Sequence, residues 1–134
     1  MSDQDGKRFI DPEALSAPAG YSHVVEAPAG WLVYISGQVP IDRNGALVGA
    51  GDIGAQTRQV FENLSAALVA AGASWSDVVK LGYFLVDVGD LATVRAIRDE
   101  YVDTELPPAS TLVEVSRLFR EDVLIEVEAI AVKG

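Results

Sequence analysis

Apolar and polar positions change period several times along this 134-residue chain, and each change marks an element. Near the C-terminus the period is two. Thr111, Val113 and Val115 alternate with Leu112, Glu114 and Ser116, and Ile125, Val127, Ala129 and Ala131 alternate with Glu126, Glu128 and Ile130. That alternation predicts two strands, paired through the charged turn Arg120-Glu121-Asp122. Pro107 and Pro108 cannot continue a helix, so they open the first of the two. Acids between β-branched residues are costly if their face closes without partners. Glu114, Glu126 and Glu128 are therefore either solvated rim charges or members of a site.

Between Asp52 and Gly72 the period lengthens to that of a helix. Val60, Leu64, Ala67, Leu68 and Ala71 form one stripe, with Gln56, Arg58, Gln59 and Glu62 mostly off it. Asp52 is the predicted N-cap and Gly72 sits at C′. Ser74 to Asp77 matches a capping box and leads a brief helical turn, and the apolar run over residues 78–88 predicts a central strand. A second helix starts at Asp90, with Leu91, Val94, Ile97 and Tyr101 inside and Arg95, Arg98, Asp99 and Glu100 outside. Before the first helix, strands are predicted over residues 20–27 and 31–35, the latter stopping at Ser36-Gly37-Gln38-Val39-Pro40, with a tight hairpin at Asn44-Gly45. At a strand end, Ser-Gly either forms a simple bulge or lets backbone N–H groups approach a ligand. Residues 1–19, broken by Pro12 and Pro18, read as an extended arm ahead of one domain over residues 20–134. The order of elements predicts an α+β fold, one mixed sheet covered on one face by two helices. No third helix is left for the other face, which points to self-association.

Composition narrows the chemistry. There is no cysteine, hence no disulfide, thiol nucleophile or thiolate metal site. The single histidine, His23, reads as a surface or satisfied strand residue before a ligand or base, and neither a metal nor a cofactor is expected. A net charge of −10 repels nucleic acid and anionic membrane alike, and an anionic substrate would need a local cation. The N-terminus lacks an apolar signal core, and no run approaches the ~18 apolar residues of a membrane span, so a cytoplasmic, soluble protein is expected. A hydrophobic share of 49% is high for so acidic a chain and fits an oligomer.

Several separated stretches point to one family. Tyr21-Ser22, Ile35-Ser36-Gly37-Gln38-Val39-Pro40, Gln56-Thr57-Arg58-Gln59 with Asn63-Leu64, Ala70-Ala71-Gly72-Ala73, Pro108-Ala109, Val113-Glu114-Val115 and residues 125–131 (IEVEAIA) together resemble the RidA family, also called YjgF. The resemblance implies a chorismate-mutase-like fold assembled as a homotrimer with clefts between subunits. It also implies enamine/imine deaminase chemistry on a small molecule. Carried over by motif, Tyr21 lines the cleft, Ser36 and Gly37 bind substrate, and Glu126 positions the water. One departure stands out: such deaminases typically read Pro-Ala-Arg where this chain reads Pro108-Ala109-Ser110. An arginine–carboxylate contact contributes roughly 1.5–3 kcal/mol, so its loss should weaken small imino acids by about one to two orders of magnitude. Arg95, where the family commonly has asparagine, is the candidate replacement, against an ordinary solvated arginine. The expectation is an imine hydrolase whose substrate is not a simple small imino acid. The alternative is a non-catalytic trimeric small-molecule-binding or regulatory protein.

Overall fold

The computed structural model describes residues 2–4 and 6–134; Met1 and Asp5 of the expected arm lie outside the described residues. Seven strands and two helices follow one another: β1 (Ser2–Gln4), β2 (Lys7–Ile10), β3 (Val24–Glu26), β4 (Trp31–Gln38), α1 (Ile53–Ala70), β5 (Val78–Leu85), α2 (Leu91–Arg98), β6 (Ala109–Glu114) and β7 (Ile125–Lys133). The main sheet has the order β4-β7-β5-β6, in which β5 and β6 run parallel and the other neighbours antiparallel. Both helices pack on one face of it, as the hydrophobic periods require. No described helix is long and apolar enough to cross a membrane.

The alternation in β7 sorts its side chains cleanly. Ile125, Val127 and Ala131 are fully buried under the helices, while Glu126 and Glu128 point to the far face. Phe61, Leu64 and Leu68 of α1 close over Leu81, Tyr83 and Leu85 of β5, and each such burial contributes about 1.5–3 kcal/mol. Phe61 stacks on Trp75 and meets Tyr101 at ring-centroid distances of 5.6 and 5.2 Å. The ends of α1 follow the predicted chemistry, whereas Asp90, the expected cap of α2, makes no side-chain capping bond. The Asp52 carboxylate accepts from the N–H of Ala55, and Gly72 takes φ +71° so that the N–H groups of Gly72 and Ala73 reach the carbonyls of Val69 and Leu68.

Five expectations change. The two C-terminal strands are not partners: β5 lies between them, bonded to β6 at Phe84↔Val113 and to β7 at Phe84↔Glu126. Strand β6 follows α2 as the return of a β-α-β crossover, which places it parallel to β5 instead of in a hairpin. The expected arm is packed: β2 pairs with β3, and Lys7 and Phe9 are buried. The strand expected over residues 20–27 shrinks to β3, because Ser22 is drawn off to the start of β6, its hydroxyl donating to the Pro107 carbonyl at 2.6 Å. Strand β4 runs on through Ser36 and Gly37 to Gln38, with a register shift after Ile35, whereas β5 stops at Leu85 short of the predicted end. Finally, Gln56 and Arg98, assigned to outer helix faces, are buried. Gln56 donates to the carbonyls of Gly49 (3.1 Å) and Asp122 (2.9 Å) and accepts from the N–H of Leu124 (2.8 Å), tying α1 to the segment that enters β7.

The far face of the sheet carries no helix. Leu32, Tyr34 and Val113 lie on it with 59, 72 and 41% of their surface exposed, beside Glu126 and Glu128.

Candidate functional site

A cavity of about 360 Å³ opens where α2 leans over the β5–β6 edge, under the loop of residues 19–21. Tyr21, Arg95 and Ser110 all line it, so three of the six residues singled out from sequence meet in one place. The pairing Leu81↔Ser110 turns Ser110 to the helix-covered face, and Leu112 follows it two residues on. Tyr21 is held there because its neighbour Ser22 bonds β6 twice, through its hydroxyl to Pro107 and its N–H to Pro108 at 3.2 Å. The Tyr21 ring also meets His23 edge-on at 5.4 Å, and His23 Nε2 lies 2.6 Å from the Ser16 carbonyl. The lone histidine thus braces the loop.

Two further polar side chains line this cavity that the sequence reading did not assign to it, Tyr83 and Arg98. Arg98 is only 8% exposed; its Nε and one terminal nitrogen each lie 2.9 Å from Asp99 Oδ1. Gly20, at φ +79°, presses directly on this guanidinium, and a Cβ there would overlap it. The Tyr83 hydroxyl is buried with no hydrogen-bond partner among the described residues. Burial drives its pKa far above the usual phenol value, with the positive charge of Arg98 opposing, so it stays a neutral donor. Arg95 is exposed and makes no ion pair among the described residues. Helical spacing held the signal for Arg98: it lies four residues after Val94 and three before Tyr101, on the inner stripe.

Ser36, Gly37 and Glu126 form a second group elsewhere. The register shift between Ile35 and Gln38 makes a bulge at Ser36-Gly37, and the Glu126 carboxylate lies across Gly37 where a Cβ would overlap it. The loop after this bulge is fixed from α1, since Asn63 Nδ2 donates to the carbonyls of Val39 and Ile41, both at 3.0 Å. Glu126 is half-buried and makes no hydrogen bond or ion pair among the described residues. Glu126 pairs with Phe84 but Ser110 pairs with Leu81, three positions away on β5. Odd separation on a strand puts the two on opposite faces of the sheet, and three rises separate them by about 10 Å along it. Within one chain, then, the predicted residues form two half-sites: Tyr21, Arg95 and Ser110 on the helix side, and Ser36, Gly37 and Glu126 at the bulge on the far side.

Comparison with known proteins fits this arrangement into a group. The family described as Endoribonuclease L-PSP matches residues 12–133. A 2-iminobutanoate/2-iminopropanoate deaminase of Salmonella typhimurium is 42% identical over 122 residues, covering 88% of this chain and 93% of that protein. A RutC family protein of Pyrococcus horikoshii is 46% identical over 128 residues, covering 95% and 98%. The crystal structure of the Rid-family protein YyfB from Yersinia pestis superposes with a TM-score of 0.85 at 39% identity, covering 95% of this chain and 98% of that one. With the fold, the separated motifs and these likenesses in agreement over nearly its whole length, the chain belongs to the RidA (YjgF) family.

Proposed function

We propose that this protein hydrolyses a reactive imine or enamine to a carbonyl compound and ammonia, in a site assembled between neighbouring copies of a homotrimer. The observation that carries the reading is the split site: a cavity with cations on one side of the sheet, and an unpartnered carboxylate on the other. Neither half suffices alone. A face bearing exposed Leu32, Tyr34 and Val113 next to Glu126 is suited to receive the edge of a second copy, which would bring that copy's cavity to this carboxylate.

The chemistry follows from the groups. Glu126 accepts a proton from water as the oxygen bonds to the imine carbon, giving a carbinolamine. The same carboxyl returns the proton to nitrogen; as the C–N bond breaks and ammonia leaves, the hydroxyl proton passes to the carboxylate and the carbonyl forms. The carboxylate also stabilises a protonated iminium before attack. Ser36 and Gly37 present backbone and hydroxyl to the substrate, and Tyr21 walls the cleft. With Ser110 in the arginine position, the substrate is not a simple small imino acid. A net charge of −10 repels RNA and argues against the ribonuclease activity in the family's description.

The test generates imino acids with an amino-acid oxidase and traps unreacted imine with semicarbazide, beside a mass measurement of the assembly. Acceleration by wild type that is lost in Glu126→Gln supports the hydrolase. A trimer inert on every imine tested, but binding carbonyl compounds, supports the non-catalytic alternative. A monomer at working concentration removes the shared site.

A further inference from the structure

We propose that Arg98 is the anion clamp of the cavity, and that the ligand carries a carboxylate which lies against α2 instead of against the β6 edge. The inference deepens the imine-hydrolase reading and rests on it for the ligand's reactive end, not for its charge.

An arginine with nine-tenths of its surface buried is uncommon unless its charge is used. Asp99 engages Nε and one terminal nitrogen of Arg98; the other terminal nitrogen has no partner among the described residues. Tyr83 lines the same cavity and lies within electrostatic reach of the same guanidinium, while its hydroxyl is sealed beneath the surface. The remaining Arg98 nitrogen offers a charge-assisted hydrogen bond, which suits a carboxylate. Arg95 adds a second, unpaired cation to the lining. Even with Asp99 counted, the charges around the cavity stay net positive in a chain of −10. Leu91, Val94 and Leu112 add apolar lining to the same cavity, so the ligand's hydrocarbon part is of some size. The volume of about 360 Å³ lies in the range of small-molecule sites. Serine at 110 leaves the β6 side of that volume open. Gly20 locks the clamp from the outside, because only a residue without Cβ lets the loop sit on the guanidinium.

The test is calorimetric binding of 2-oxo-4-methylpentanoate and of its uncharged primary amide to the full-length protein. Wild type should bind the acid about tenfold or more tighter than the amide. Arg98→Met should weaken the acid by about tenfold to a hundredfold and leave the amide unchanged. Arg98→Met/Ser110→Arg should restore acid affinity by moving the charge to β6, which a merely structural role would not permit. Arg98→Lys should lower acid affinity several-fold by replacing the planar fork with a point charge, and it carries the test with the wild-type ratio if Arg98→Met does not fold. Equal binding of acid and amide overturns the proposal, as does acid affinity that survives Arg98→Met. So does the absence of acid binding up to about 10 mM. Because binding is read without turnover, an acid-selective site dependent on Arg98 in a protein that hydrolyses no imine would sink only the hydrolase reading. Imine hydrolysis indifferent to carboxylate and to Arg98 would sink only the clamp.

Discussion

Replacing Gln56 with leucine should destabilise the protein by about 3 kcal/mol, although the change is nearly volume-conserving and adds an apolar side chain to the interior. The magnitude comes from the three groups the amide serves. The Leu124 N–H, buried at the entry to β7, would lose its acceptor at 2.8 Å, which costs about 1–3 kcal/mol. The Asp122 carbonyl would lose a donor at 2.9 Å, a further cost of about 1 kcal/mol. The Gly49 carbonyl loses less, because it keeps the Asp52 N–H at 2.9 Å. Against a typical domain stability of about 5–15 kcal/mol the loss is large. Urea unfolding followed by circular dichroism reads it, with protein concentration held fixed so that any assembly contributes equally. Gln56→Glu should fare no better at neutral pH, since its carboxylate would face two carbonyls. Its folded-state pKa is raised by that contact, so stability should return as pH falls and disappear as pH rises. A loss below about 1 kcal/mol in Gln56→Leu would refute the reasoning, because three backbone groups would then have found other partners.

Other perturbations have equally definite outcomes. Gly37→Ala should cut imine hydrolysis by at least about tenfold while barely moving the melting temperature, since the new methyl displaces the Glu126 carboxylate rather than a core side chain. Gly20→Ala should cost about 1–3 kcal/mol in urea unfolding, combining a left-handed φ of +79° with a collision against Arg98; an unchanged midpoint would mean that the loop simply lifts away. Glu100 has a pKa held below the ordinary carboxylate value, chiefly by its paired hydrogen bonds from Arg58, both 3.0 Å. A depressed carboxylate pKa gives stability that is present at neutral pH and lost as pH falls through the folded value, so Arg58→Met should flatten the acid side of a melting-temperature profile. Because the pair is exposed, the effect should also shrink in high salt, and a salt-independent difference would contradict the assignment.

The sequence made the elements legible but not always their neighbours. Period two located β6 and β7, yet alternation says nothing about which strand lies beside which, and β5 inserted itself between them. The arm escaped because Lys7-Arg8-Phe9-Ile10 shows two charges in four residues, and only the three-dimensional pairing with β3 explains why Lys7 is buried within 3.8 Å of Asp77. Gln56 and Arg98 were misplaced for a common reason: stripes were traced by apolar identity, while both residues sit at helical spacing from buried neighbours, Val60 and Val94 respectively. Long polar side chains belong on a buried stripe when they have backbone groups or an acid to meet. The family was legible from the ISGQVP and IEVEAIA segments, and Tyr21, Arg95 and Ser110 line one cavity. That Glu126 would face away from them was not, because facing depends on register across an intervening strand.

Seating the two half-sites on opposite faces separates two properties that most enzymes must change together. Substitutions more than about 7–10 Å apart with no shared partners act nearly independently. A change at Ser110 or on α2 leaves Gly37, Phe84 and Glu126 untouched in the same chain, and a change at the bulge leaves the cavity as it was. On the proposed function, the identity of the bound molecule can therefore change without disturbing the group assigned to water. Serine at 110 alters the helix-covered face alone and leaves Glu126 and the bulge of the other face as they are.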